Sequence, residues 1–296
     1  VSVIIPSLNP DEKLICVVDS LREAGFDDII LVNDGSDENH MEPFEHVSAY
    51  PECTILTHEV NKGKGRGLKT AFEYCIKNRP DIDGVVTVDG DNQHKAADIL
   101  KCCEKMAECK DKVVLGVRNF SGKDVPFKSR FGNNMTSFVF KFACGLNISD
   151  TQTGLRAIPR QYLELFDKVK GERFEYETNM LLEFKQSHID FVEVQIETVY
   201  IEENASTHFN PIKDSIKIYG VIFKFLFSSI ASSVIDLAMF ALISALMFGK
   251  LDGSIRIFTA TLGARIISSL FNYTFNRKAV FNSKSGVKSS IVRYYI

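Results

Sequence analysis

The chain has 296 residues, of which 45% are apolar and 25% charged, with a formal net charge of −3. That balance excludes a disordered or collagen-like chain, and near-neutrality leaves no electrostatic footprint for nucleic acid. Apolar residues concentrate after about position 218, so residues 1–210 read as a soluble α/β unit and the remainder as a membrane segment.

Val1–Pro6 (VSVIIP) is a β-branched run closed by proline, the pattern of a buried strand. Residues 11–24 follow with helical periodicity, and Asp28–Val32 (DIILV) reads as a second strand. Cys53–Thr57 (CTILT) is a third strand, 66–78 a helix, and Gly84–Asp89 (GVVTVD) a fourth strand. A helix over 95–108 and a strand over Lys112–Val117 (KVVLGV) complete the series. This βαβα order predicts a Rossmann-like, mostly parallel sheet with helices on both faces. Ligands of such sheets bind beyond the carboxyl ends of the strands.

The residues at those ends are polar and glycine-rich. Strand one runs into Pro6-Ser7-Leu8-Asn9-Pro10-Asp11-Glu12, and strand two into Asn33-Asp34-Gly35-Ser36. The third precedes Asn61-Lys62-Gly63-Lys64-Gly65-Arg66-Gly67, and the fourth Asp89-Gly90-Asp91-Asn92-Gln93-His94. Residues two apart in an extended segment project to one side, so Asp89 and Asp91 can converge on one hard cation. Mg²⁺ typically takes one or two carboxylates and fills its remaining positions with water and phosphate oxygens. Gln93 and His94 are near enough in sequence to complete or orient that coordination. Alone, each loop also reads as an ordinary turn or helix cap; their joint presence at one sheet edge is the informative feature.

Seven cysteines, at 16, 53, 75, 102, 103, 109 and 144, lack the paired spacing of a zinc site and fit thiols in a reducing compartment. No signal peptide precedes Val1, and the missing initiator Met points to a fragment or processed chain.

The ordered set VIIPSLNPDE, LVNDGS, NKGKGRG, VDGDNQH, LGVRNF and DTQTGLR (150–156) resembles glycosyltransferase family 2 with the GT-A fold. The likeness is to its polyprenyl-phosphate sugar synthases and spans about residues 1–210. It implies a nucleoside pocket lined by Pro6, Leu8, Asn9 and Asp34, with Asp34 facing the base. Lys64 and Gly65 would lie beside the nucleotide, Asp89 would approach the ribose or metal, and Asp91 and Gln93 would bind Mg²⁺ or Mn²⁺. Arg118 and Arg130 would hold phosphates, since a guanidinium fork matches phosphate oxygens. Gln152, Arg156, Glu177 and His208 fall where relatives place acceptor, sugar and phosphate contacts. Asp91, Arg118 and Asp150 are the residues expected to carry the chemistry, Asp150 by positioning the acceptor.

The expected reaction is inverting transfer of a hexose from UDP-glucose or GDP-mannose to undecaprenyl or dolichyl phosphate. DTQTGLR resembles the glucose branch more. A processive polysaccharide synthase and a non-catalytic lipid carrier or flippase are the alternatives, and a homo-oligomer is left open.

Beyond the soluble unit, 211–224 reads as an interfacial amphipathic stretch, with Ile212–Tyr219 (IKDSIKIY) at its centre. Spans over 225–248 and 257–275 follow, within a membrane segment 225–296 that resembles a truncated GtrA-like domain through Phe271-Asn272-Tyr273 and Asn276-Arg277. Lysines and arginines flank the outer ends of the spans, which places the soluble unit in the cytoplasm of a multi-pass cell-membrane protein. Each span carries a central charge, Asp236 and Arg265. Asp236 lies about 16 Å along the first helix and Arg265 about 15 Å from the far end of the second, so a hairpin sets them at one depth. Their expected roles are a mutual ion pair or a shared lipid-phosphate path, with Arg265 the phosphate contact.

Overall fold

The computed structural model describes residues 1–120, 130, 132–134, 136–137, 140–141, 145–197 and 213–280. It divides into two compact units, Val1–Asp214 and Ser215–Ile296.

The first unit is built on seven strands: β1 (Ser2–Ser7), β2 (Ile29–Asn33), β3 (Cys53–Thr57), β4 (Gly84–Thr87), β5 (Val113–Arg118), β6 (Arg156–Pro159) and β7 (Phe191–Ile196). Their order across the sheet is β3-β2-β1-β4-β6-β5-β7. All pairs are parallel except those of β6, which runs antiparallel to both β4 and β5. Five strands match the sequence reading to within a residue or two; β6 and β7 are additional. The reversal of β6 has a direct consequence. Its first residue, Arg156, pairs with Thr87 at the end of β4, so the segment leading into it arrives at the edge where the parallel strands finish.

The helices are α1 (Lys13–Glu23), α2 (Glu42–Ser48), α3 (Lys64–Asn78), α4 (Ala96–Cys109), α5 (Leu163–Asp167) and α6 (Glu175–Gln186). Val3, Ile5, Ile29 and Leu31 point to one sheet face and join Leu14, Val17, Leu21, Phe44, Ile99, Cys102 and Met106 in one core. The alternate residues Pro6 and Val32 meet α3 on the other face, where α3 packs with α5 and α6. Period-2 alternation in a doubly covered sheet requires this division. Cys102 and Cys103 are core residues at helical spacing, and burial pushes their thiols up to about 12 and about 11. The six described cysteines are all free.

The second unit is a helical hairpin. One helix, α7 (Lys213–Leu246), runs through most of the expected interfacial stretch and the first span, and α8 (Gly253–Phe275) follows. The turn is shorter than expected because Asp252 caps α8, accepting the Ser254 N–H. Leu226–Leu246 and Gly253–Lys278 are long and apolar enough to cross a membrane. Ala260, Ala264 and Ser268 recur every fourth residue and are buried, which lets the helices approach closely. Arg265 Nη1 lies 3.4 Å from Asp236 Oδ2, and Ser268 Oγ donates to Asp236 Oδ1 at 2.9 Å. The expected ion pair forms.

Candidate active site

Five strand ends and the approach to β6 furnish the site. Past β1, Asn9 takes a left-handed φ of 48°, a conformation asparagine tolerates. Its backbone N–H donates to Ser36 Oγ at 2.9 Å, and its side chain exchanges hydrogen bonds with Asp37. Asn9 therefore ties the first two loops together. Pro6 and Leu8 are half-buried beside it.

Asp34 departs from expectation. Its carboxylate is 4% exposed and lies 2.7 Å from His58 Nδ1. It also accepts the N–H groups of Lys62 at 2.9 Å and Gly63 at 2.7 Å. The carboxylate expected to face a base is instead turned inward and anchors the glycine loop. Gly63 sits at φ +106°, where any side chain would also strike Glu172 and Arg173. That loop is not a free basic segment, because Lys64 already opens α3. Gly65 is required by Tyr176, whose Cβ would lie 2.4 Å from a side chain there.

The basic residues of α3 are matched by acids. Lys64 Nζ lies 2.7 Å from Asp89 Oδ1 and 3.0 Å from Glu177 Oε2. Arg66 and Lys69 both reach Glu172. Burial disfavours a charged Lys64, but Asp89 and Glu177 outweigh it and push its pKa up. Burial also opposes the charge on Asp89, yet Lys64 and then His94 hold its carboxyl well below the usual range. His94 Nε2 stands 3.6 Å from Asp89 Oδ2.

Strand β4 stops at Thr87, so strand alternation is not what assembles the two acids. They belong to a turn in which Asn92 adopts φ 62° and the Gln93 N–H donates to Asp91 Oδ1 at 3.2 Å. Burial first, and then the charge of Asp89, raise the Asp91 pKa. Ser7 Oγ and His94 Nδ1 are buried near these acids without a hydrogen-bond partner. Among the described residues no three or more His, Cys, Asp or Glu side chains form a closed metal cage. The donor set is a pair of carboxylates, one of them paired with Lys64, which fits a hard cation completing its shell on a substrate. Gly154 in the DTQTGLR segment closes the other side, since a Cβ there would lie 2.4 Å from Asp89 Oδ2.

At the end of β5, Arg118 forks onto Asp150, with Nε to Oδ2 at 2.8 Å and Nη2 to Oδ1 at 3.2 Å. Asp150 also accepts the N–H groups of Arg118 at 3.2 Å and Gln152 at 3.0 Å, and its side chain is 0% exposed. So held, the Asp150 carboxylate fixes the plane of the Arg118 guanidinium. Arg118, Asn133 and Lys141 line an adjacent cavity of about 410 Å³. The Gln152 side chain is exposed. Arg156 is 1% exposed, and its guanidinium donates to the carbonyls of Thr153 and Glu177. These bonds brace the DTQTGLR segment against α6. Arg130 is half-buried. His208 lies outside the described residues, and Arg265 belongs to the second unit.

Sequence reasoning missed His58 and Glu172. His58 directly follows β3, and Glu172 is the acid preceding the RFEYE segment; both sit where strand-end and charge-complement signals pointed.

Comparison with known proteins agrees with this arrangement. Glucosyl-3-phosphoglycerate synthase from Mycobacterium tuberculosis, solved with Mn²⁺, UDP and glucosyl-3-phosphoglycerate, superposes with a TM-score of 0.56. It shares 15% identity over 77% of this chain and 78% of that one, a likeness of fold. The UDP-N-acetylglucosamine–dolichyl-phosphate N-acetylglucosaminyltransferase of Methanococcus voltae is 30% identical over 220 residues, 67% of this chain and 85% of that protein. Glycosyltransferase AglJ of Haloferax volcanii is 25% identical, over 75% of this chain and 69% of its own length. The undecaprenyl-phosphate 4-deoxy-4-formamido-L-arabinose transferase of Pectobacterium carotovorum is 26% identical, over 54% of this chain and 49% of its own. The family description "Glycosyl transferase family 2" matches residues 2–166. With its GT-A-like sheet and strand-end acids, the chain belongs to glycosyl transferase family 2.

Proposed function

We propose that the enzyme transfers a sugar from a nucleotide diphosphate to a polyprenyl phosphate at a membrane surface. The relatives from Methanococcus voltae and Pectobacterium carotovorum are named for dolichyl- and undecaprenyl-phosphate acceptors. The observation that carries the reading is the enclosure of Asp150. A hydroxyl acceptor needs a general base beside it, whereas the carboxylate expected on the acceptor side is wholly engaged by Arg118 and two backbone N–H groups. A phosphate monoester, with a second pKa near ~6, is already largely dianionic at neutral pH. It requires positioning more than deprotonation, and Arg118, with its plane fixed by Asp150, would contribute to that positioning.

Asp91 and Asp89, with Gln93, would hold Mg²⁺ or Mn²⁺; when bound, such an ion stabilises negative charge on a diphosphate leaving group. Lys64 adds positive charge beside Asp89. The glycine loop, held down by Asp34, forms one wall of the donor pocket. UDP-glucose and GDP-mannose are the donors expected from sequence, and UDP-N-acetylglucosamine joins them through the Methanococcus voltae relative.

The two apolar helices would anchor the enzyme beside its lipid substrate as a GtrA-like hairpin. Lys213, Lys217 and Lys224 before the first span, with Arg277 and Lys278 after the second, favour a cytoplasmic catalytic unit. The test is a chelator experiment on membranes, with activity compared before and after adding back Mg²⁺ or Mn²⁺. Activity that survives both metal removal and Asp91→Ala would contradict the proposed chemistry.

A further inference from the structure

We propose that Lys64 is the resident counter-cation of the acidic cluster, and that a divalent cation enters only when a nucleotide diphosphate draws Lys64 off Asp89. The inference rests on the metal reading above. It adds an order of assembly and names the residue that imposes it.

The geometry comes first. The Lys64 ammonium is held between two elements, Asp89 beyond β4 at 2.7 Å and Glu177 in the first turn of α6 at 3.0 Å. All three side chains are largely buried, at 19%, 29% and 16% exposure. Asp89 is also the acid that a divalent ion would have to share with Asp91. With the ammonium in place, an incoming dication would meet a like charge seated on its own ligand. Like charges a few ångströms apart in a partly desolvated pocket repel strongly. Asp91 alone then remains; among the described residues no cation sits on it, and a single carboxylate is a poor site.

A diphosphate changes this balance. Its charged oxygens offer the ammonium an alternative partner, and lysine, a point charge on a flexible stem, can move to it. Asp89 is then released beside Asp91 at the moment when phosphate oxygens arrive to complete a cation's shell. Nucleotide and metal would therefore each raise the other's affinity, as linkage demands. The same device would keep the donor-free enzyme from accumulating metal.

The test is a Mn²⁺ titration of the full chain in detergent, following free Mn²⁺ by electron paramagnetic resonance with and without UDP or GDP. In the unaltered protein, one of the nucleotides should tighten Mn²⁺ binding about tenfold or more. In Lys64→Met, nucleotide-free Mn²⁺ binding should tighten about tenfold, and the nucleotide effect should shrink. Lys64→Gln serves as a second variant, and thermal unfolding checks that both fold. If neither variant binds nucleotide-free Mn²⁺ more tightly than the unaltered protein, the gate is overturned while the metal reading stands. If the unaltered protein takes up no Mn²⁺ even with either nucleotide, the metal reading fails and the gate with it.

Discussion

The carboxylate of Asp34 and the imidazole of His58 meet at 2.7 Å in the interior, and the far nitrogen of His58 lies 2.9 Å from Thr70 Oγ1. One side chain thus links the end of β2 to the body of α3, whose first residue is Lys64. His58→Ala should leave the anchor of the Lys62–Gly63 loop half-paired. The donor KM should rise by about tenfold, a cost near 1.4 kcal/mol, with a smaller change in kcat. His58→Gln, which keeps a donor and an acceptor, should recover much of the loss. Equal falls in kcat and kcat/KM, with donor KM unchanged, would contradict a positioning role.

Arg118→Lys keeps the charge and loses the fork. Because the planar two-point contact fixes where the guanidinium faces, acceptor kcat/KM should drop by about tenfold or more while the melting temperature changes little. Asp150→Asn should be harsher on both counts, since it places an amide among four donors in a buried site. Steady-state kinetics and thermal unfolding of the two variants separate these outcomes.

Gly154→Ala would set a methyl 2.4 Å from Asp89 Oδ2. No unusual φ is involved, so the effect should come from displacement of the carboxylate. Activity should fall by about tenfold or more with modest loss of stability. Normal activity in this variant would show that the position of Asp89 is not critical.

In the hairpin, Asp236→Asn, Arg265→Gln and the double variant form a closed cycle. The two side chains meet in one contact between neighbouring spans, so the coupling should be on the order of 1 kcal/mol. Unfolding in mixed micelles measures it, and simple additivity would mean that the 3.4 Å pair contributes nothing.

Strands β1 to β5 were legible because short β-branched runs leading into polar, Asn-, Asp- or Gly-containing loops announce buried parallel strands. Strand β6 was not. It has four residues, begins with arginine and ends with proline, and only its partners β4 and β5 make it a strand. Strand β7 did carry an alternating signal in FVEVQI. The cluster of Asp89, Asp91 and Lys64 was legible as residue types at strand ends, but their pairing was not, because Lys64 joins Asp89 and Glu177 across long sequence separations. The inward turn of Asp34 was hidden for the same reason. It depends on His58, and a linear reading has no means of joining them. The pair Asp236 and Arg265 was foreseeable from depth alone, since burying one charge in a bilayer demands a partner.

The most direct test of the central claim supplies membranes containing the enzyme with labelled UDP-glucose, GDP-mannose or UDP-N-acetylglucosamine, with and without added polyprenyl phosphate. The expected result is label from one donor in the organic phase, increased by the lipid phosphate and absent from Asp91→Asn membranes. Label that stays in the aqueous phase with all three donors, or lipid labelling that persists in Asp91→Asn, would contradict it.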